Sequence, residues 1–329
     1  ERGVFSASNP ETPRLLSVSP SALFFNAVNN QAAIQNNSVA PAGTDTAGFD
    51  AFGLRVADGK SLLLVGGDVS MDRGQLNAYG GRVELGGLTA PGSINLLFDG
   101  DNLKLGFPEN VTRADVSLTN QAFVRVEADG GCDIAINARN LDILQGSRLL
   151  AGIWLGLGTP ETVAGDIMLN ATEKITIANP ASRVYNDVTP GAVGNSGDIN
   201  LIGKSVEISD GGRISASTFG KGNAGSINIF SRDTVSIKSN ESNISFIINN
   251  IGSKGTGDTS GININTGSLS VNNGAQIQSF IFEEGNSGNI EINASDSIEV
   301  VGDLDTNNII LSKIASQVHR NATGKADNL

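Results

Sequence analysis

The sequence predicts an all-β fold, a parallel β-helix with three strands per coil. Three observations carry this. The chain of 329 residues is rich in glycine (41) and poor in charge (17 %) and aromatic rings (5 %), and repetitive β structure closed by small polar turns is one way to organise a core from such a composition. Pairs of apolar residues separated by one position recur along most of its length. These pairs group in threes, which a simple meander of hairpins has no reason to do.

In the C-terminal part, residues 131–329, the first pair of each unit is Ile134/Ile136, Ile167/Leu169, Ile199/Leu201, Ile227/Ile229, Ile262/Ile264 and Ile290/Ile292. Successive units start 33, 32, 28, 35 and 28 residues apart. Seven or eight residues after the start of each first pair comes a second: Leu141/Ile143, Ile175/Ile177, Val206/Ile208, Val235/Ile237, Leu269/Val271 and Ile298/Val300. A third segment opens on Leu149, Val184, Ile214, Ile244 and Ile277. Alternation at period two places each pair on one strand face. Gly, Asn, Asp and Ser between the segments supply the turns. The variable spacing falls after the third segment, so GGRISASTFGKGNAGSINI (211–229) reads as a third strand, a solvated outer loop and the next coil's first strand.

Residues 51–130 are read as shorter coils of about 20 residues, from Leu62/Leu64, Val83/Leu85, Leu103/Leu105 and Val124/Val126. Residues 1–50, punctuated by Pro10, Pro13, Pro20 and Pro41, are irregular, with strand pieces expected at Pro20–Phe25 and Ala32–Val39. Ser312–Leu329 repeats the 211–229 pattern, with Ile314 over Ile214 and Leu329 over Ile227. The chain is therefore read as a piece of a longer protein.

The formal charge of −12 argues against a nucleic-acid partner, which would need Lys and Arg to neutralise phosphates. No apolar run is long enough to span a bilayer as a helix. Cys132 is the only cysteine, aligns with turn glycines and reads as a small turn residue. His319, the only histidine, reads as a surface residue. Asp133, Asp166 and Asp198 share one position in consecutive units and would stack. Stacked carboxylates can serve acid–base work or hold a cation, but turn preference alone also explains aspartate there. Trp154, the only tryptophan, would stack on a sugar if exposed or cap a loop if buried, and the buried reading is preferred. Asn200, Asn228 and Asn263 lie between inward pairs and are expected to form an outward amide ladder. The ligand-contact candidates are thus Trp154, Asp166 and Asp198; no catalytic residue, cofactor or metal is expected.

Leu62–Leu88 (LLLVGGDVSMDRGQLNAYGGRVELGGL), Ser8–Phe25 and residues 211–229 together resemble the filamentous haemagglutinin-type exoproteins of two-partner secretion, in their cyanobacterial branch. The resemblance implies a right-handed β-helix and export through an outer-membrane β-barrel transporter. It also implies a secreted or cell-surface location on a Gram-negative bacterium. The implied role is non-enzymatic adhesion or aggregation, with a host or neighbouring-cell surface or glycan as partner. Residues 1–50 would close the secretion domain. That domain's Asn-Pro-Asn-Gly motif is absent, since Asn9 and Pro10 are followed by Glu11. The alternatives are a polysaccharide lyase or glycosidase acting near Asp166 and Asp198, and glycan binding through the loops at 150–164, 186–196, 217–223 and 250–259.

Overall fold

A computed structural model describes residues 21–26, 33–99, 102–304 and 310–326. Residues 1–20, with Pro10, Pro13 and Pro20, and the Leu329 position lie outside the described residues. Among the described residues there is no helix. Two large sheets, of 13 and 9 strands, dominate, and every pairing within them is parallel.

The predicted pairs stack as written. Ile134, Ile167, Ile199, Ile227, Ile262 and Ile290 form one continuous register column. Leu141, Ile175, Val206, Val235, Leu269 and Ile298 form a second. Both columns belong to the 13-stranded sheet, because Ile199–Ser209 and its successors each carry a first and a second segment on one bent strand. The third segments make the 9-stranded sheet. Side chains of all three series meet in one apolar cluster running the length of the fold. Isoleucine repeats at the same register because a β-branched chain packs against its own copy one rung away. Ile298 and Val300 are 52 % and 41 % exposed, since no described strand covers theirs.

The structure corrects three assignments. The third-column partner of Ile214 and Ile277 is Ile247, not Ile244. A tight turn at Asn240–Asn243 absorbs the difference. Val124 belongs to the third series, over Leu76 and under Leu149, rather than opening a coil. Leu103/Leu105 lies in no parallel ladder at all. It sits in an antiparallel hairpin, Gly92–Asp99 with Asn102–Gly106, joined by Ala22–Phe25. This small sheet covers the outward Leu63 and Val65, with Leu88, Ile94 and Leu105 at its centre. The physical reason is in Leu62–Val65: four consecutive apolar residues bury both faces of a strand, and the second face needs a cover.

The loop after the third strand is also not the solvated spacer expected. Thr218 bridges in parallel to Val188 and Ile251, and Lys221 to Val193 and Thr256. Ile153, Ala164, Val188 and Ala192 form a separate buried cluster there. The loops therefore stack as a further layer on the fold.

Candidate functional site

The three stacked aspartates prove to be a hydrogen-bond ladder. Asp133 Oδ1 accepts the backbone N–H of Asp166 (2.9 Å), Asp166 Oδ1 that of Asp198 (2.8 Å), and Asp198 Oδ1 that of Ser226 (2.7 Å). Each carboxylate thus replaces a missing strand partner where the chain turns into the next rung. Arg82 pairs with Asp133 at 2.7 Å. Asp166 reaches solvent, yet its pKa is raised, first by desolvation within the stack and further by the charges of Asp198 and Asp133. Asp166→Ala should cost about 1 kcal/mol, the net worth of one such bond, read as a lower urea midpoint. An unchanged midpoint would mean that the ladder carries no stability.

Trp154 is half-buried, and its ring is already occupied. The Arg125 guanidinium lies 4.0 Å over it, and Phe49 meets its edge at 6.2 Å. Phe49 comes from the connection of a hairpin, Pro41–Thr44 with Asp50–Phe52. Arg125 also pairs with Asp45 (3.2 Å) and Glu127 (2.8 Å). The structure therefore separates Trp154 from the aspartate ladder and places it in a buried charge cluster. Cys132 is buried, and its thiol is pushed up to about 12 by that burial, so it is a poor nucleophile. His319 is half-buried and stacks on Phe282 (6.1 Å between rings).

The expected amide ladder is present: Asn228 donates to Asn200 (3.0 Å) and Asn263 to Asn228 (2.8 Å). Immediately beyond it lies a surface feature that the sequence reading missed. Where each long strand bends between its first and second segments, an open groove of about 850 Å³ runs along the stack. Its floor is one register column: Asn170, Ile202, Phe230, Asn265 and Asn293. Five rungs at about 4.8 Å give a length of roughly 19 Å. Ile202 and Phe230 are 40 % and 46 % exposed.

Irregular pairing shapes the walls. Register shifts fall at Gly203/Ser205, Phe230/Thr234 and Thr266/Ser268. Ser231 Oγ holds one bend by donating toward the carbonyls of Lys204 and Thr234, both at 2.9 Å. Arg232 reaches back to the carbonyl of Thr172 (3.0 Å), leaving its guanidinium along the groove. The lining offers amides, hydroxyls, one aromatic face and one cation. That set suits hydrogen bonding and ring stacking with an extended polar ligand. The signal available in sequence was the residue just after each first pair, which is Asn, Ile, Phe, Asn and Asn in turn.

No family model, no curated protein and no solved structure matches this chain.

Proposed function

We propose that the chain is a right-handed parallel β-helix with three strands per coil. In this reading it is the non-catalytic shaft of a secreted or surface-held adhesin of the two-partner type, delivered through an outer-membrane barrel. The observation that carries the adhesive role is the groove over Asn170, Ile202, Phe230, Asn265 and Asn293, which would take an extended glycan along the long axis. Its lining holds Arg232 as its one ionisable group, so it has no paired carboxylates for acid–base cleavage. The resemblance of Leu62–Leu88 to two-partner exoproteins supports the export route. Among the described residues no helix is long and apolar enough to cross a membrane.

The test is a glycan array probed with the whole chain. Binding to an extended neutral glycan, reduced at least tenfold by Phe230→Ala, is the expected outcome. Stacking on an exposed aromatic ring contributes about 1 kcal/mol or more, and the lost ring also opens the groove floor. Retained binding in Phe230→Ala, or chain shortening of a bound glycan, would remove this reading; in the second case Asp198→Ala decides whether the aspartate ladder cleaves.

A further inference from the structure

The outer face of the 9-stranded sheet carries an unusual column. At one register position, rung after rung, stand Phe123, Arg148, Arg183, Arg213 and Phe246. Neighbours in such a column sit about 4.8 Å apart. Like charges directly opposite one another destabilise a sheet. In a chain with 34 acidic and 22 basic residues, carboxylates were available to separate the arginines. Elsewhere the fold does separate its cations: Glu207 sits between Lys174 (2.6 Å) and Lys238 (3.0 Å).

The arginine column has no such interleaving. Among the described residues no carboxylate stands within ion-pair distance of Arg148, Arg183 or Arg213. The Nε of Arg183 is buried without a hydrogen-bond partner. Aromatic rings hold two of the three heads: Arg183 lies 5.4 Å over Tyr185, and Arg213 lies 5.1 Å over Phe246. Such contacts orient a guanidinium without cancelling its charge. Burial, and next the neighbouring charge of Arg183, lower the pKa of Arg148, the direction that repulsion within the column gives. Half-buried, pre-oriented guanidiniums with no carboxylate partner, at fixed spacing, are what bidentate recognition of repeated anions requires.

We infer that this column binds a linear acidic polysaccharide, its successive carboxylate or sulfate groups seated on Arg148, Arg183 and Arg213. The rung spacing is close to the advance of one residue in a 1,4-linked sugar chain. Charge complementarity selects an anionic ligand, and the even rung spacing selects one whose charges repeat along a chain. A nucleic acid, with one charge per about 1.7 Å of duplex, would meet a single narrow file of cations on a chain of net charge −12. The column lies on the 9-stranded sheet, whereas the groove lies on the 13-stranded one, so this inference does not depend on the groove's reading.

The experiment titrates the whole chain with polygalacturonate, dextran sulfate, neutral dextran and duplex DNA at low and raised salt. Binding to at least one acidic polysaccharide, weakened by salt and absent with neutral dextran at this face, is expected. The polygalacturonate and dextran sulfate arms separate carboxylate from sulfate recognition. The triple variant Arg148→Gln, Arg183→Gln, Arg213→Gln should bind at least tenfold more weakly, while Arg139→Gln, at a surface arginine paired with Asp115 (2.6 Å), leaves that affinity unchanged. Should the triple variant fail to fold, arginine modification of the parent protein gives the same answer. Bound polysaccharide should protect all three arginines from phenylglyoxal, as read by mass spectrometry. Undiminished binding by the folded triple variant, unprotected arginines, no binding to either acidic chain, or tighter binding to DNA than to both would each overturn the inference. Neutral dextran binding that vanishes with Phe230→Ala reports on the groove alone.

Discussion

Asn249→Leu should destabilise the fold by about 3 kcal/mol or more. Asn249 is fully buried at the end of a third strand. Its Nδ2 donates to the carbonyls of Ala216 (2.6 Å) and Gly225 (2.8 Å), and its Oδ1 accepts the N–H of Gly261 (2.8 Å). One amide thus ties the third strand of one rung to the points where two rungs re-enter their first strands. Leucine is close in volume but can satisfy none of these groups. Each stranded buried polar group costs about 1–3 kcal/mol, and three are left. The column makes room for the amide by alternating it with small residues: Asn186, Ala216, Asn249 and Ser279 follow one another at this register. Asn186 makes the same kind of tie, donating to the carbonyls of Gly165 (2.9 Å) and Asp198 (3.3 Å). Urea unfolding of Asn249→Leu, with hydrogen exchange at Gly261, measures the effect. Because each rung depends mainly on its neighbours, lost protection should concentrate in the rungs on either side. A loss under about 1 kcal/mol would show that the amide is a bystander.

Thermal stability should fall as pH rises from about 5 to 8. Two buried acids drive this. Burial pushes Glu127 up to about 7, outweighing the Arg125 guanidinium, which is also shared with Asp45. Burial likewise pushes Asp187 up to about 7, against hydrogen bonds from Ser215 Oγ and Ser217 N–H, both 2.8 Å. In the folded state both acids hold their protons at a pH where the unfolded chain has released them. The folded state therefore binds more protons between about pH 4 and 7, and stability drops across that window and levels off above it. A rise of two to three pKa units corresponds to roughly 3 kcal/mol for each group at neutral pH. The double variant Glu127→Gln, Asp187→Asn keeps the shapes and most acceptors while removing both titrations. It should flatten the melting temperature against pH over this range and raise it at pH 8. A parent profile that rises or stays flat from pH 5 to 8 would refute the assignment. The charge cluster joins Asp45 to Arg125, Glu127 and Trp154, and Asp45 reaches it because the hairpin carrying Asp45 and Phe49 folds onto the third-strand sheet.

Much of the scaffold was legible because a period-two pattern maps one-to-one onto a strand face. The first and second columns, and the Asn200–Asn228–Asn263 ladder, followed directly from which residues alternate. The errors share a cause. Leu103/Leu105 alternates as well as any coil strand, but alternation carries no information on whether a partner is parallel or antiparallel. Ile244 and Ile247 are both plausible openings of a third strand, and only pairing with Ile214 and Ile277 chooses. The groove was visible as a column once the bends were located, yet the bends are register shifts that no spacing rule marks. The arginine column was closest to hand. Arg148, Arg183 and Arg213 each directly precede the predicted inward residues Leu149, Val184 and Ile214. What the repeat could not show was the absence of counter-charges, which is a fact about neighbours in space.

By itself the sequence determined the repeat and most of the inward residues, because strand periodicity and turn chemistry are local properties written residue by residue. Only the tertiary structure decided where the surface becomes a site. Whether Asp166 is a catalyst or a ladder rung, whether Trp154 faces solvent or Arg125, and whether three arginines stand paired or alone all depend on distances between rungs. Those distances are set by backbone pairing about 30 residues apart, and local pattern is silent on what that pairing brings within reach.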